Sequence, residues 1–144
     1  MHKNDLGQMF DRRIFSIQKK VKTYLCEGLS PAISMPHIFV MGYIKVHSPC
    51  IVTDISNHME ITLSAVTSLL NKLVDMELVV RERSEEDRRI VRVFITSSGE
   101  EMLKKVWENK SKLMSKVLQG LSEQELNEYF RIQDMIFDKL AEES

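Results

Sequence analysis

"LSAVTSLLNKLVDMELVVRERSEEDRRIVRVFIT", residues 63–96, changes its period halfway along, and that change decides the fold. In its first part Val66, Leu69, Leu70 and Leu73 recur at three- and four-residue spacing, which places them on one buried helix face. From Val79 the period becomes two: Val91, Val93 and Ile95 alternate with Ile90, Arg92 and Phe94. This predicts a β-hairpin over about 79–96 with "SEEDRR" at its tip. A lone hairpin is marginal in water, so the flanking chain must supply its core.

Toward the amino terminus, Thr62 or Ser64 can cap the helix, and a turn at Glu60 and Ile61 separates it from a short helix in "TDISNHME". Thr53 can cap that short helix, whose apolar side is Ile55 and Met59. Two short helices across a tight turn make a helix-turn-helix pattern. Before them, Pro36 suits the first turn of a helix carrying Ile38, Met41 and Ile44; "HSPC" ends it, and Gly42 inside it predicts a close helix contact. Leu6, Phe10, Ile14, Ile17 and Val21, with Tyr24 or Leu25, predict an amphipathic helix broken by "EGLSP" at Gly28 and Pro31.

Toward the carboxyl terminus, Ser97 with Glu100, or Ser98 with Glu101, can form a capping box for a long helix bearing Leu103, Val106, Leu113, Val117 and Leu118. Gly120 closes it, and Ser122 with Glu125 repeats the device for a last helix carrying Leu126, Phe130, Ile136 or Phe137, and Leu140. The expected order is four helices, a hairpin, then two helices.

A chain of 144 residues fits one domain. It contains no apolar run near the roughly 18 residues of a membrane span, and its amino terminus lacks a signal-peptide core, so a cytoplasmic location is expected. Net charge is −1 and the pI about 6.4, which gives no global field for nucleic acid. Charge is nonetheless uneven: residues 1–25 carry six bases and two acids, residues 97–144 seven bases and ten acids. A DNA-facing surface must therefore come from arrangement.

Cys26 and Cys50 are too few for a disulfide framework and are read as reduced thiols, with Cys26 a candidate oxidation sensor in a redox reading. His37, His47 and His58 with the two cysteines include metal-ligating types, but "HSPC" brings only His47 and Cys50 together, so no metal or other cofactor is expected. The nine methionines read as ordinary core, with an adaptable effector pocket as the alternative. With no phosphate loop, metalloprotease pair or nucleophile elbow, catalysis is not expected.

The stretch "LSAVTSLLNKLVDMELVVRERSEEDRRIVRVFITSSGEEML" resembles the MarR family of bacterial transcription regulators, winged-helix dimers that bind pseudo-palindromic operators. The specific part is residues 63–99: "VT" in a helix, "LV" before a hairpin, then "DRR", "V", "IT" and Gly99. The resemblance implies one mainly α domain with a small β-hairpin wing: a winged helix-turn-helix over about 36–97 plus terminal dimerisation helices over about 1–30 and 98–144. It further implies a homodimer acting as a ligand-responsive repressor on double-stranded DNA, with a small amphiphilic or aromatic effector and no membrane partner. Two positions where the family usually has glycine hold Glu60 and Glu77, and Ser68 stands where many relatives carry arginine.

With its leucines inward, the second helix of the motif exposes Thr62, Ser64, Ala65, Thr67, Ser68, Asn71 and Lys72. Hydroxyls can reach phosphates or base edges, Ala65 a thymine methyl, and Lys72 a phosphate. Taken without the hairpin, these residues need be no more than a soluble helix face. The tip sets Glu85, Glu86 and Asp87 against Arg88 and Arg89, a charge of −1 that composition alone reads as a solvent hairpin. Asp87 lies two positions from Arg89, close enough to orient its guanidinium. By resemblance, Asp87 braces the wing while Arg89 enters a minor groove; Arg81, Arg83 and Arg88 are candidate phosphate contacts, and Arg92 is expected to pair with a neighbouring acid. The rival reading, from the acidic tip and the missing arginine, is a protein-interaction winged helix that does not bind DNA.

Overall fold

A computed structural model describes residues 3–142. Along the chain lie α1 (Lys3–Leu25), α2 (Met35–His47), β1 (Cys50–Ile51), α3 (Val52–Met59), α4 (Leu63–Asp75), β2 (Val79–Arg83), β3 (Val91–Ile95), α5 (Ser97–Gln119) and α6 (Glu123–Glu142). The chain divides into two compact units, one ending at Asn109 and the other beginning at Lys110.

In the first unit the apolar faces meet in one core. Val40, Met41 and Ile44 of α2, Ile55 of α3, Val66, Leu70 and Leu73 of α4, and Val79 and Val93 of the sheet are essentially inaccessible. Each such side chain contributes about 1.5 to 3 kcal/mol by leaving water, so this cluster fixes how α4 and the wing sit. Leu25 of α1 and Leu103 and Val106 of α5 join the same cluster. The buried Asn109 donates through Nδ2 to the carbonyls of Leu25 (3.1 Å) and Glu27 (3.0 Å), which satisfies the end of α1. The second unit holds the remainder of α5 and all of α6, and no residue of α6 is buried.

The expected helices and hairpin form, with one strand added. β1 pairs antiparallel with β3 through Cys50 opposite Val93 and Ile51 opposite Arg92, giving the order β1-β3-β2. Two residues are too short to show a period. Cys50 is therefore a buried strand residue, and burial together with the Asp54 carboxylate pushes its thiol up.

Of the expected caps, some form and others are displaced. Thr62, not Ser64, caps α4 by accepting from Ala65 N–H at 3.2 Å. α3 begins at Val52, with Asp54 accepting from Ile51 N–H at 3.1 Å, so Thr53 lies inside the helix. At α5 the cap is Thr96 rather than Ser97 or Ser98: its Oγ1 accepts from Gly99 N–H at 3.1 Å and donates to the Glu77 carbonyl at 2.7 Å. The Ser122–Glu125 box forms as expected, with bonds of 2.8 and 3.3 Å. A Cβ placed on Gly42 would meet nothing within 4 Å, so the expected close helix contact is absent there. The tight position is Gly99, where a Cβ would lie 2.2 Å from the Leu78 carbonyl oxygen.

Glu60 and Glu77 are both left-handed, with φ of 55° and 59°. Each costs on the order of 1 kcal/mol relative to glycine, and each turn is stapled by a neighbour. Ser56 accepts from the N–H groups of Glu60 and Ile61 and returns its hydroxyl to Ile61 O at 2.6 Å. Thr96 performs the same service for Glu77.

Candidate nucleic-acid interface

Because the Val66–Leu70–Leu73 face is sealed in the core, α4 presents Thr62, Ser64, Thr67, Ser68, Asn71 and Lys72 to solvent; Ala65 is half-buried. The Thr62 and Ser64 hydroxyls lie 3.2 Å apart at the helix entrance. Arg81, on β2, reaches back to α4 and donates to the Thr67 carbonyl at 3.4 Å, linking wing and helix.

The wing tip is built on Ser84, which its composition hides as an ordinary loop serine. Ser84 is buried; its N–H donates to Ile90 O at 2.9 Å and its Oγ accepts from Asp87 N–H at 3.4 Å. The turn so formed aims Asp87 at Arg89. Asp87 Oδ1 accepts from the Arg89 backbone N–H (3.0 Å) and Nε (3.1 Å), while Oδ2 accepts from Nη2 (3.0 Å). The Arg89 side chain is 91% exposed and that of Asp87 36%. The guanidinium, then the backbone bond, holds the Asp87 carboxyl below the usual carboxylate range. Arg83 and Arg88 are exposed beside it.

Arg92 faces Glu82 in the ladder but forms no ion pair; among the described residues such pairs are Arg89–Asp87 and Arg131–Glu128. Two long solvated side chains gain little by closing, which is why the expected partnership fails.

Behind α4, Ser34 donates its N–H (3.1 Å) and its hydroxyl (2.7 Å) to Nδ1 of His37, capping α2. Partial burial, then the charge of Lys72, keeps the His37 pKa below the ordinary imidazole range. His47 stacks on Tyr43 at 4.1 Å and His58 lies tilted against the same ring at 4.6 Å, and no group of three or more metal-ligating His, Cys, Asp or Glu occurs among the described residues. Cys26 is a half-buried free thiol packed on the core.

The sequence and the fold it builds have counterparts in known proteins. The MarR family signature matches residues 33–91. The chain is 30% identical over 115 residues to YpoP, an uncharacterised HTH-type transcriptional regulator of Bacillus subtilis, covering 80% of this chain and 79% of that protein. The chain belongs to the MarR family. A second relative, the HTH-type transcriptional repressor MdtR of B. subtilis, is 29% identical over 100 residues, covering 69% of this chain and 62% of that protein. The fold matches Streptococcus pneumoniae FabT, solved in complex with DNA, with a TM-score of 0.77 and 23% identity over 95% of this chain and 99% of that one. As a MarR-family member the protein is a DNA-binding transcription regulator and not an enzyme. No helix among the described residues is long and apolar enough to cross a membrane.

Proposed function

We propose that the protein is a homodimeric repressor that binds a pseudo-palindromic operator and releases it on meeting a small amphiphilic or aromatic effector. The observation that carries the DNA reading is the exposed Arg89 guanidinium, fixed in one orientation by both oxygens of Asp87. A pre-oriented cation at a wing tip suits a narrow minor groove, where negative potential is concentrated. In this reading Ser64, Thr67 and Ser68 address base edges or the backbone from α4, with Thr62 fixing the helix entrance and Ala65 beside it. Lys72, Arg81, Arg83 and Arg88 meet phosphates, with Arg81 also tying β2 to α4.

Apolar side chains exposed at helical spacing on α1 and α6 favour a dimer, because such faces need a covering surface. Residues of about 1–30 and 98–144 then serve dimerisation and about 36–97 bind DNA. The DNA-bound FabT structure and the repressor MdtR are precedents for the duplex and for repression; the effector rests on family resemblance.

Selection of bound genomic fragments, followed by binding across a salt series, tests the proposal. The expected result is a two-fold-related motif with half-sites about one DNA turn apart and an affinity that falls steeply with salt. No binding to any duplex at low salt would favour a protein-interaction module instead.

A further inference from the structure

The two sides of the wing differ in charge. Side chains alternate along a strand, so Val79, Arg81 and Arg83 of β2 share one side with Val91, Val93 and Ile95 of β3. The buried Val79 and Val93, and the Arg81 bond to α4, mark this as the inner side. On the outer side Glu82, Arg92 and Phe94 line a cleft to which the tip adds Glu85 and Glu86, and which Arg83 reaches from the end of β2. Glu82 stands opposite Arg92 in the ladder, which offsets its charge. Asp87 is taken up by Arg89. Glu85 and Glu86 are exposed and form an ion pair with no base among the described residues, although Glu85 also borders Arg83 and Arg88.

We propose that Glu85 and Glu86 determine specificity: they repel duplex DNA presented to the outer side of the wing, and so lower binding to unrelated sequences more than binding to the operator. The inference rests on the DNA reading above and goes beyond it by giving these two acids a role. In the operator complex, α4 in the major groove and Arg89 in the minor groove fix one orientation. The phosphates between the two grooves then meet the inner side, with Arg81 and Arg83, and the two carboxylates weigh little. On an unrelated duplex the protein is held by phosphate attraction alone and samples many orientations. Each one that brings phosphates to the outer side, within the Debye length of about 8 Å, meets two negative charges. Discrimination is a difference between two affinities, and a repulsion that acts mainly on the wrong partner widens it. An acidic tip on a DNA-binding wing has its reason in that difference, which attraction alone does not supply.

Glu85→Gln with Glu86→Gln in the full-length chain tests the role, beside a control with the same change of charge at two exposed positions of α5, Glu101→Gln with Glu108→Gln. Fluorescence anisotropy measures each chain against the operator duplex recovered by fragment selection and against a scrambled duplex of equal length, across a salt series. At low salt the tip variant should bind the scrambled duplex on the order of tenfold more tightly and the operator less than about threefold more tightly, so that its preference for the operator falls. The control should keep the wild-type preference.

Equal or greater tightening on the operator, or no tightening on either duplex, overturns the proposal and leaves the DNA reading standing. A loss of preference as large in the control assigns the effect to overall charge and overturns the proposal too. A wild type that binds no duplex at low salt overturns both readings. Both tip residues are exposed, so the substitutions leave the core untouched, and circular dichroism checks that they do.

Discussion

Arg89 owes its direction to a carboxylate two residues away and to the buried Ser84 that shapes the turn between them. Replacing Arg89 with alanine should weaken operator binding by roughly 1 to 3 kcal/mol and leave the fold intact, since the side chain touches no core. Asp87→Ala should cost less, because it frees the guanidinium but also removes an acid from the phosphate field. Fluorescence anisotropy at matched salt reads both, and unchanged affinity for Arg89→Ala would remove the wing from the mechanism. His37 gives a second residue-level expectation. Its Nδ1 must keep a lone pair for Ser34, and its folded pKa is lowered, so the unfolded chain takes up the proton first as pH falls. The stabilisation is therefore complete above the ordinary imidazole value of 6.5 and is lost as pH falls through it toward the lower folded value. Denaturant midpoints should decline on acidification more steeply for the wild type than for His37→Asn, which keeps an acceptor but does not titrate; equal slopes would exclude the cap as the cause.

The exit of α4, the base of the hairpin and the start of α5 form one junction. Gly99 is there because the Leu78 carbonyl leaves no room for a Cβ, so Gly99→Ala should destabilise by about 2 to 3 kcal/mol through overpacking. Glu77→Gly, in contrast, should stabilise by up to about 1 kcal/mol by relieving a left-handed residue, provided Thr96 still holds the carbonyl. Urea unfolding of the two variants separates these opposite signs, and a stabilising Gly99→Ala would show that the junction can open. Elements were legible in the sequence wherever a period ran long enough to repeat: Val66, Leu70 and Leu73 announced α4, and Val91, Val93 and Ile95 announced β3. β1 has two residues and no period to show. The caps misread at α3 and α5 turned on which of several adjacent hydroxyls or carboxylates faced the free amides, a choice made by tertiary contacts such as Thr96 with Glu77. The Asp87–Arg89 contact could be read from spacing, whereas Ser84 beneath it could not, because nothing in "RERSEED" marks one serine as buried.

As a whole, the molecule must hold two apolar helix faces out of water and approach a polyanion with a net charge of −1. Deleting residues 1–20 or residues 123–144 should each abolish the dimer and yield monomer or aggregate; an intact, soluble dimer from both truncations in the ultracentrifuge would reject these helices as the interface. The wing bears on the same balance of charge. By pairing with Asp87, Arg89 stays a cation but arrives at DNA with its own counterion supplied within the chain, so that the pair as a whole is a zwitterion. Such a zwitterion displaces almost no condensed cations from the duplex, so its contribution should be nearly invisible in a plot of affinity against salt. Removing Asp87 and Arg89 together should accordingly lower operator affinity while leaving the slope of that plot unchanged, whereas removing Lys72 should reduce its magnitude by about one unit. The wing would then read the shape of a groove at any ionic strength the cell presents.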